Sequence, residues 1–286
     1  VEIGHFDDLL RAARGMAEPQ HLLFVFAAAE LPSGASAQQR ADFEAGVGGE
    51  LAPLMCVDKV ATELPGFDAL GAIAFTTTRD RGDFALQSRE PAADVFGRWL
   101  TLLDELAPRV TRLAMAHQVH GDTVLQHETG WSGWLRAPSA DGHVALTPGT
   151  ALAVTVADCV PVFLAHPGGA IGIVHSGWRG TLANVSGRAV QRLVAAGLRA
   201  SELSVHCGPS ICGDCYEVSP DVYGQLTGRT VPRPTPVDLR ALIADDVRAA
   251  GVTEISISAW CTRCHNERFY SHRCGDDGRQ IGVIVR

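Results

Sequence analysis

"TALAVTVADCVPVFLAHPGGAIGIVHSGWRGT", residues 150–181, is the stretch on which the fold turns. Two runs dense in Val, Ile, Leu, Phe and Ala, 150–166 and 169–181, are joined by the turn "PGG". Such runs read as strands buried on both faces. The second run ends on His175, followed by a glycine-rich turn carrying Trp178 and Arg179. A strand buried among apolar neighbours has no packing reason to end on an imidazole, so His175 calls for a partner. Beyond the turn, "TLANVSGRAVQRLVAAG" (181–197) switches to helical spacing.

Outward from this centre, "AIAFTTTRDRG" (72–82) reads as a strand over Phe75–Thr78 ending at Arg79. "AADVFGRWLTLLDELA" (92–107) is an amphipathic helix with Val95, Phe96, Trp99, Leu103 and Leu106 on one face. "RLAMAHQVHGDTVLQ" (112–126) reads as a hairpin turning at "GD", and "ELSVHC" (202–207) and "EISISAWC" (254–261) as strands. "DLRALIADDVRAAG" (238–251) is a helix with Asp238 as N-cap and Gly251 as its stop. Strands occur both as hairpins and beside helices, which makes the class α+β, mixed sheets layered with helices. Upstream, helical spacing at Phe6–Ala13, a strand in 21–31, a short helix after Ser36 and a strand within 51–60 form a block that carries no chemical constellation. We divide the chain into an N-terminal appendage, 1–70, which could serve a protein partner, and a main domain, 71–286.

Hydrophobic residues make up 46% of the 286, ample for a core, and the net charge is −8. That charge disfavours nucleic acid as a partner while leaving room for a small anion in a local basic pocket. No run reaches the roughly 18 apolar residues of a membrane span; the longest are interrupted by Glu30 and Asp158. An acidic start, "VEIGHFDD", is unlike a signal peptide, and the expected location is cytoplasmic. In that compartment eight cysteines read as thiols or metal ligands before disulfides.

His120, Cys159 and His175 each stand at or near the end of a strand-like run, where ligands from separate strands can converge. Two imidazoles and a thiolate suit zinc, and three protein ligands leave the fourth position open for catalysis. A histidine at a strand end is also a common hydrogen-bonded core residue, and a buried cysteine a common small hydrophobe. Spacing alone leaves both readings standing.

The segments "HQVHGDTV" (117–124), "TVADCVPVFL" (155–164), "GIVHSGWRGT" (172–181) and "CGPSICGDCYEVS" (207–219), with "CT" (261–262) through "FYSHR" (269–273) and "GRQIG" (278–282), resemble the YfiH family. Its members carry the label laccase-domain or multicopper polyphenol oxidase and are understood as zinc-dependent purine nucleoside enzymes. The resemblance runs from about Ala72 to Arg286 and implies a four-layer sandwich with zinc on His120, Cys159 and His175. It implies phosphorolysis of adenosine and inosine, cleavage of methylthioadenosine and deamination of adenosine. Arg79 matches a family arginine near the active site; with Arg179 it is expected to contact phosphate. Gln118, Asp158 and Tyr216 are expected neighbours, His117 stands behind His120, and Asp158 and His117 are the candidate acid–base groups. Cys274 stands where many relatives carry a second arginine.

Three alternatives remain at this point, one of them a non-enzymatic protein whose N-terminal block recruits a partner and whose domain only binds nucleosides. Copper could occupy the same ligands adventitiously, because copper(II) binds such donors more tightly than zinc. A true multicopper oxidase is unsupported, since none of the 11 histidines forms an H-x-H pair. Cys159 could instead be the nucleophile of a cysteine hydrolase, with His175 or His120 as base. Separately, Cys212/Cys215 and Cys261/Cys264 form two C-x-x-C pairs that could close a structural zinc site, form a reversible disulfide, or be buried thiols. The family generally works with the catalytic zinc alone.

Overall fold

Alternation along β-strands builds the core. The computed structural model describes Val57, Asp58 and residues 67–107 and 109–286. In chain order its strands are β1 (Val57–Asp58), β2 (Ile73–Thr77), β3 (Arg112–Ala116), β4 (Val124–His127), β5 (Gly133–Ala137), β6 (Gly142–Ala145), β7 (Thr150–Val156), β8 (Val160–Ala165), β9 (Ile171–Ser176), β10 (Ser204–Cys207), β11 (Glu217–Val218), β12 (Thr235–Pro236), β13 (Glu254–Ile257) and β14 (Gln280–Val285). The α-helices are α1 (Ala92–Leu106), α2 (Trp178–Leu182), α3 (Val185–Ala195), α4 (Pro220–Thr227) and α5 (Leu239–Ala249). Two mixed six-stranded sheets form, ordered β1-β2-β14-β7-β3-β5 and β13-β10-β8-β9-β6-β4.

Successive side chains on a strand face opposite ways, and the core divides accordingly. On β7, Ala151 and Ala153 pack with Val95, Trp99, Leu102 and Leu106 of α1. Leu152, Val154 and Val156 pack instead with Phe163, Ile171 and Ile173 of the second sheet. On β8, Val160, Val162 and Leu164 turn outward to Val190 and Leu193 of α3 and Ile243 and Val247 of α5. The result is four layers: helix, sheet, sheet, helices. This is the expected layered α+β class, and double-sided burial explains why the central strands are almost continuously apolar.

Two expected elements are different in the structure. The "hairpin" 112–126 is no hairpin: β3 lies parallel to β5 and β7 in the first sheet, and β4 parallel to β6 in the second. Likewise 150–166 is two strands, β7 in the first sheet and β8 in the second. Both segments cross between sheets, and each crossing has a non-glycine residue at positive φ, His120 at 58° and Asp158 at 78°. The β8–β9 hairpin stands as expected, with Pro161 opposite His175. The helix expected from Thr181 begins earlier, at Trp178, and is interrupted at Asn184, whose side chain caps α3. Asp238 caps α5, and Gly251 follows it at a positive φ of 98°. On α1, Leu102 is fully buried, whereas Phe96 is 40% exposed against Trp134.

The readings on residues 1–56 lie outside the described residues. Val57 and Asp58, ahead of the boundary drawn at residue 70, pair antiparallel with Thr77 and Thr76.

Candidate active site

The two sheet crossings and the end of β9 meet at one point. Ile171, Ile173 and His175 share a face of β9, so the alternation that sends the isoleucines into the inter-sheet core brings His175 to the open end of that core. The β7–β8 crossing brings Cys159, and the β3–β4 crossing brings His120. One ligand atom from each lies within 4.8 Å of the others. Gly177 makes this approach possible: a Cβ there would stand 2.9 Å from Cys159 Sγ and 3.2 Å from His120 Cδ2.

Asp141, which the sequence reading passed over, organises the cluster. Its buried carboxylate accepts hydrogen bonds from the amides of Val119 (3.2 Å), His120 (2.9 Å) and Gly121 (2.7 Å). It also accepts one from His175 Nδ1 at 2.8 Å. The bond orients the His175 ring so that Nε2 points toward Cys159, the carboxylate–histidine arrangement that orients metal ligands. Burial alone would raise the Asp141 pKa, but the His175 and Gly121 hydrogen bonds outweigh it and hold the carboxyl below its ordinary value. Burial would likewise raise the Cys159 thiol, yet the His175 charge and the hydrogen bonds from His120 and His175 bring it down to about 6. The reciprocal holds for His175: burial lowers it, but the Cys159 charge and Asp141 raise it to about 9. Each of the two thus favours the charged form of the other.

The cluster sits where two lobes of a cleft join. The larger, about 640 Å³, is lined by His117, Gln118, Arg89, Arg136, Arg279 and His272 among others. The smaller, about 230 Å³, is lined by Asp158, Trp178, Arg179, Tyr216, His272 and Arg273. Arg179 is exposed, stacks over the Trp178 ring at 4.2 Å and makes no ion pair among the described residues. Tyr216 keeps its proton, with burial pushing its hydroxyl up to about 12.

The other expected residues serve the walls. Gln118 is clamped to Thr155, donating to its carbonyl and accepting from its amide, both at 2.7 Å. Asp158 is buried and accepts from Thr262 Oγ1 (2.6 Å) and the Arg273 amide (2.7 Å). His117 is exposed in the larger lobe, its Nδ1 3.1 Å from an Arg136 nitrogen. Arg79 lines neither lobe. It donates to the carbonyls of Asn266 and Phe269, pairs with Asp276 and lies over Tyr270. These contacts tie it to the loop bearing His272 and Arg273.

A four-layer α+β domain whose sheet crossings bring two imidazoles and a thiol together defines a candidate metal-binding site. The profile of the family described as multi-copper polyphenol oxidoreductase laccase matches residues 76–286, and the chain belongs to that family. It is 33% identical over 82% of its length to a purine nucleoside phosphorylase from Deinococcus radiodurans, covering 90% of that protein. It is 29% identical to an adenosine deaminase from an unknown prokaryotic organism, over 76% of this chain and 94% of that one. The crystal structure of YlmD from Geobacillus stearothermophilus superimposes with a TM-score of 0.70 at 29% identity, covering 76% of this chain and 92% of that one. The relatives are enzymes with nucleoside names. Among the described residues no helix is long and apolar enough to cross a membrane.

Proposed function

We propose that residues 71–286 form a zinc-dependent purine nucleoside phosphorylase acting on adenosine, inosine and methylthioadenosine, with adenosine deaminase activity. One observation carries the reading: His120, Cys159 and His175 converge, braced by Asp141, where a larger lobe lined in part by Arg89, Arg136 and Arg279 meets a smaller one lined in part by Arg179 and Arg273. The donor set fits zinc, being two imidazoles and a thiol already poised to ionise. Bound there, zinc supplies Lewis acidity. The larger lobe has the volume of a small-molecule site. In the smaller lobe, Arg179 and Arg273 offer charge-assisted hydrogen bonds to phosphate. A phosphate oxygen bonds C1′ of the ribose while the glycosidic bond breaks, and the base leaves with the bonding pair and takes up a proton. Of the two acid–base candidates, Asp158 is committed to Thr262 and Arg273, so His117 on the cleft wall is the one we assign to move that proton.

Chromatography of adenosine incubated with metal-analysed protein tests the proposal. Adenine that requires phosphate, and inosine without it, are the expected products, and Cys159→Ala should abolish both. No product from adenosine, inosine or methylthioadenosine overturns it.

A second reading has its own observation. Cys159, His175 and Asp141 form a chain of hydrogen-bonded thiol, imidazole and carboxylate, with the thiol brought down to about 6, which also suits a cysteine nucleophile. Activity that survives chelation and is lost on alkylation would select it.

A further inference from the structure

Behind the smaller lobe four more thiols meet. Cys212 and Cys215 bracket a tight turn after β10, and Cys261 and Cys264 stand three residues apart after β13. The sheet brings them together: β10 and β13 are parallel neighbours, and their continuations pair again at Ser210 and Cys261. One sulfur from each lies within 4.8 Å of the others, and Cys215 and Cys264 are 3.4 Å apart. A tetrahedral zinc–thiolate centre with bonds of about 2.3 Å has sulfur–sulfur edges of roughly 3.8 Å, so small side-chain rotations close the cluster onto an ion.

The backbone favours a thiolate at Cys261. The Cys212 amide donates to Cys261 Sγ at 3.2 Å and the Cys264 amide does so at 3.4 Å. Donated hydrogen bonds favour the charged sulfur over the neutral thiol. All four cysteines are free. Cys261 is buried, Cys212 and Cys215 are half-buried and Cys264 is exposed, so the cluster opens to solvent on one side.

We propose that Cys212, Cys215, Cys261 and Cys264 form a second metal site, a closed tetrathiolate centre that takes zinc and is separate from the His120–Cys159–His175 cluster. Four protein ligands leave no position for substrate, which makes the site structural. Its work is to staple the 211–216 segment to the 260–265 segment. Both brace the crossing that holds Cys159: the Ile211 amide donates to the Asp158 carbonyl at 3.1 Å, and Thr262 holds the Asp158 carboxylate. The Tyr216 amide bonds the Cys212 carbonyl at 3.1 Å, so the staple also positions a wall of the smaller lobe.

The full chain carrying Cys159→Ala, purified reduced with zinc, isolates this site by removing a ligand of the other. Elemental analysis should find about one zinc per chain, and X-ray absorption an all-sulfur shell near 2.3 Å. Adding Cys264→Ser should lower zinc occupancy at least tenfold, and Cys264→His should restore it as a three-cysteine, one-histidine site. Zinc-free Cys159→Ala protein, a shell containing nitrogen or oxygen, or zinc retained in Cys264→Ser overturns the proposal. The unaltered protein gives an independent readout through timed alkylation. The four cysteines should be shielded by zinc and released together by a chelator, while exposed Cys274 reacts throughout. Equal labelling with and without chelator, or recovery of the four as disulfides, overturns the proposal as well.

Discussion

Asp141 Oδ1 accepts from His175 Nδ1 at 2.8 Å while the same carboxylate gathers the amides of residues 119–121. One side chain therefore sets both the ring of one ligand and the backbone of another. Asp141→Asn retains one acceptor oxygen but puts an amide where an anion now stands. Zinc affinity should fall roughly 10–100-fold, the usual cost of losing such a supporting group. Competition with a chelator measures it, and circular dichroism checks that the fold persists. Unchanged affinity would show that Asp141 does not orient the site.

Gly177 is a steric requirement of the same cluster. Its φ of −85° suits any residue, so the constraint is space and not backbone conformation. In Gly177→Ala the new methyl meets Cys159 Sγ at 2.9 Å, forcing that ligand or the turn to move. Metal content and turnover should both drop. Gly97→Ala is the control: it lies within α1 with nothing near the added methyl, and should gain up to about 1 kcal/mol of stability with the metal retained. Full zinc occupancy in Gly177→Ala would refute the steric argument.

The grouping of His120, Cys159 and His175 was legible through the motifs around them, because residue type alone leaves a strand-end histidine or a buried cysteine equally readable as packing. The crossings that unite it were not. Residues 150–166 look like one strand because both halves are buried on both faces, and the break rests on Asp158 adopting a positive φ without glycine or proline to mark it. "HGD" at 120–122 imitates a hairpin turn, yet β3 and β4 find their partners elsewhere in the chain. Asp141, followed by Gly142, has the look of an ordinary turn pair. Its role exists only once residues 119–121 and 175 are folded around it. Arg79 was recognisable as important, but from sequence a loop-bracing arginine and a substrate-binding one are the same residue.

Arg79 and Arg179 should accordingly fail in different ways. Arg79 holds the 266–276 loop, and Arg79→Ala should lower the melting temperature and impair catalysis generally. Arg179 stacks on Trp178 at an exposed position, where the cation–π contact contributes about 0.5–1 kcal/mol. Arg179→Ala should change stability little, while raising KM for phosphate on the order of tenfold, as expected for one lost charge-assisted hydrogen bond. Phosphate titrations of both variants beside thermal melts separate the roles. A phosphate KM unchanged by Arg179→Ala would remove that residue from the anion site.

Three of the buried histidines outside the His120–Cys159–His175 cluster should make the fold sensitive to acid. Burial lowers His127 to about 4, His206 to about 3 and, with the His127 charge adding to the effect, His143 to about 3. His127 Nε2 and His143 Nδ1 are 2.9 Å apart, so one proton can be shared between them but a second is opposed. All three folded values lie below the unfolded value of about 6.5. The unfolded chain therefore binds more protons at these three sites throughout the interval, and their contribution to stability is full above pH 6.5 and declines as pH falls toward 3–4. With up to three protons taken up on unfolding, the slope should reach about 4 kcal/mol per pH unit in the middle of that window. Urea denaturation at pH 7, 6 and 5 measures it directly. His206→Phe, which removes one of the three groups, should flatten the slope by about a third. A folding free energy independent of pH across this range would mean that these rings are hydrated or already charged in the folded protein.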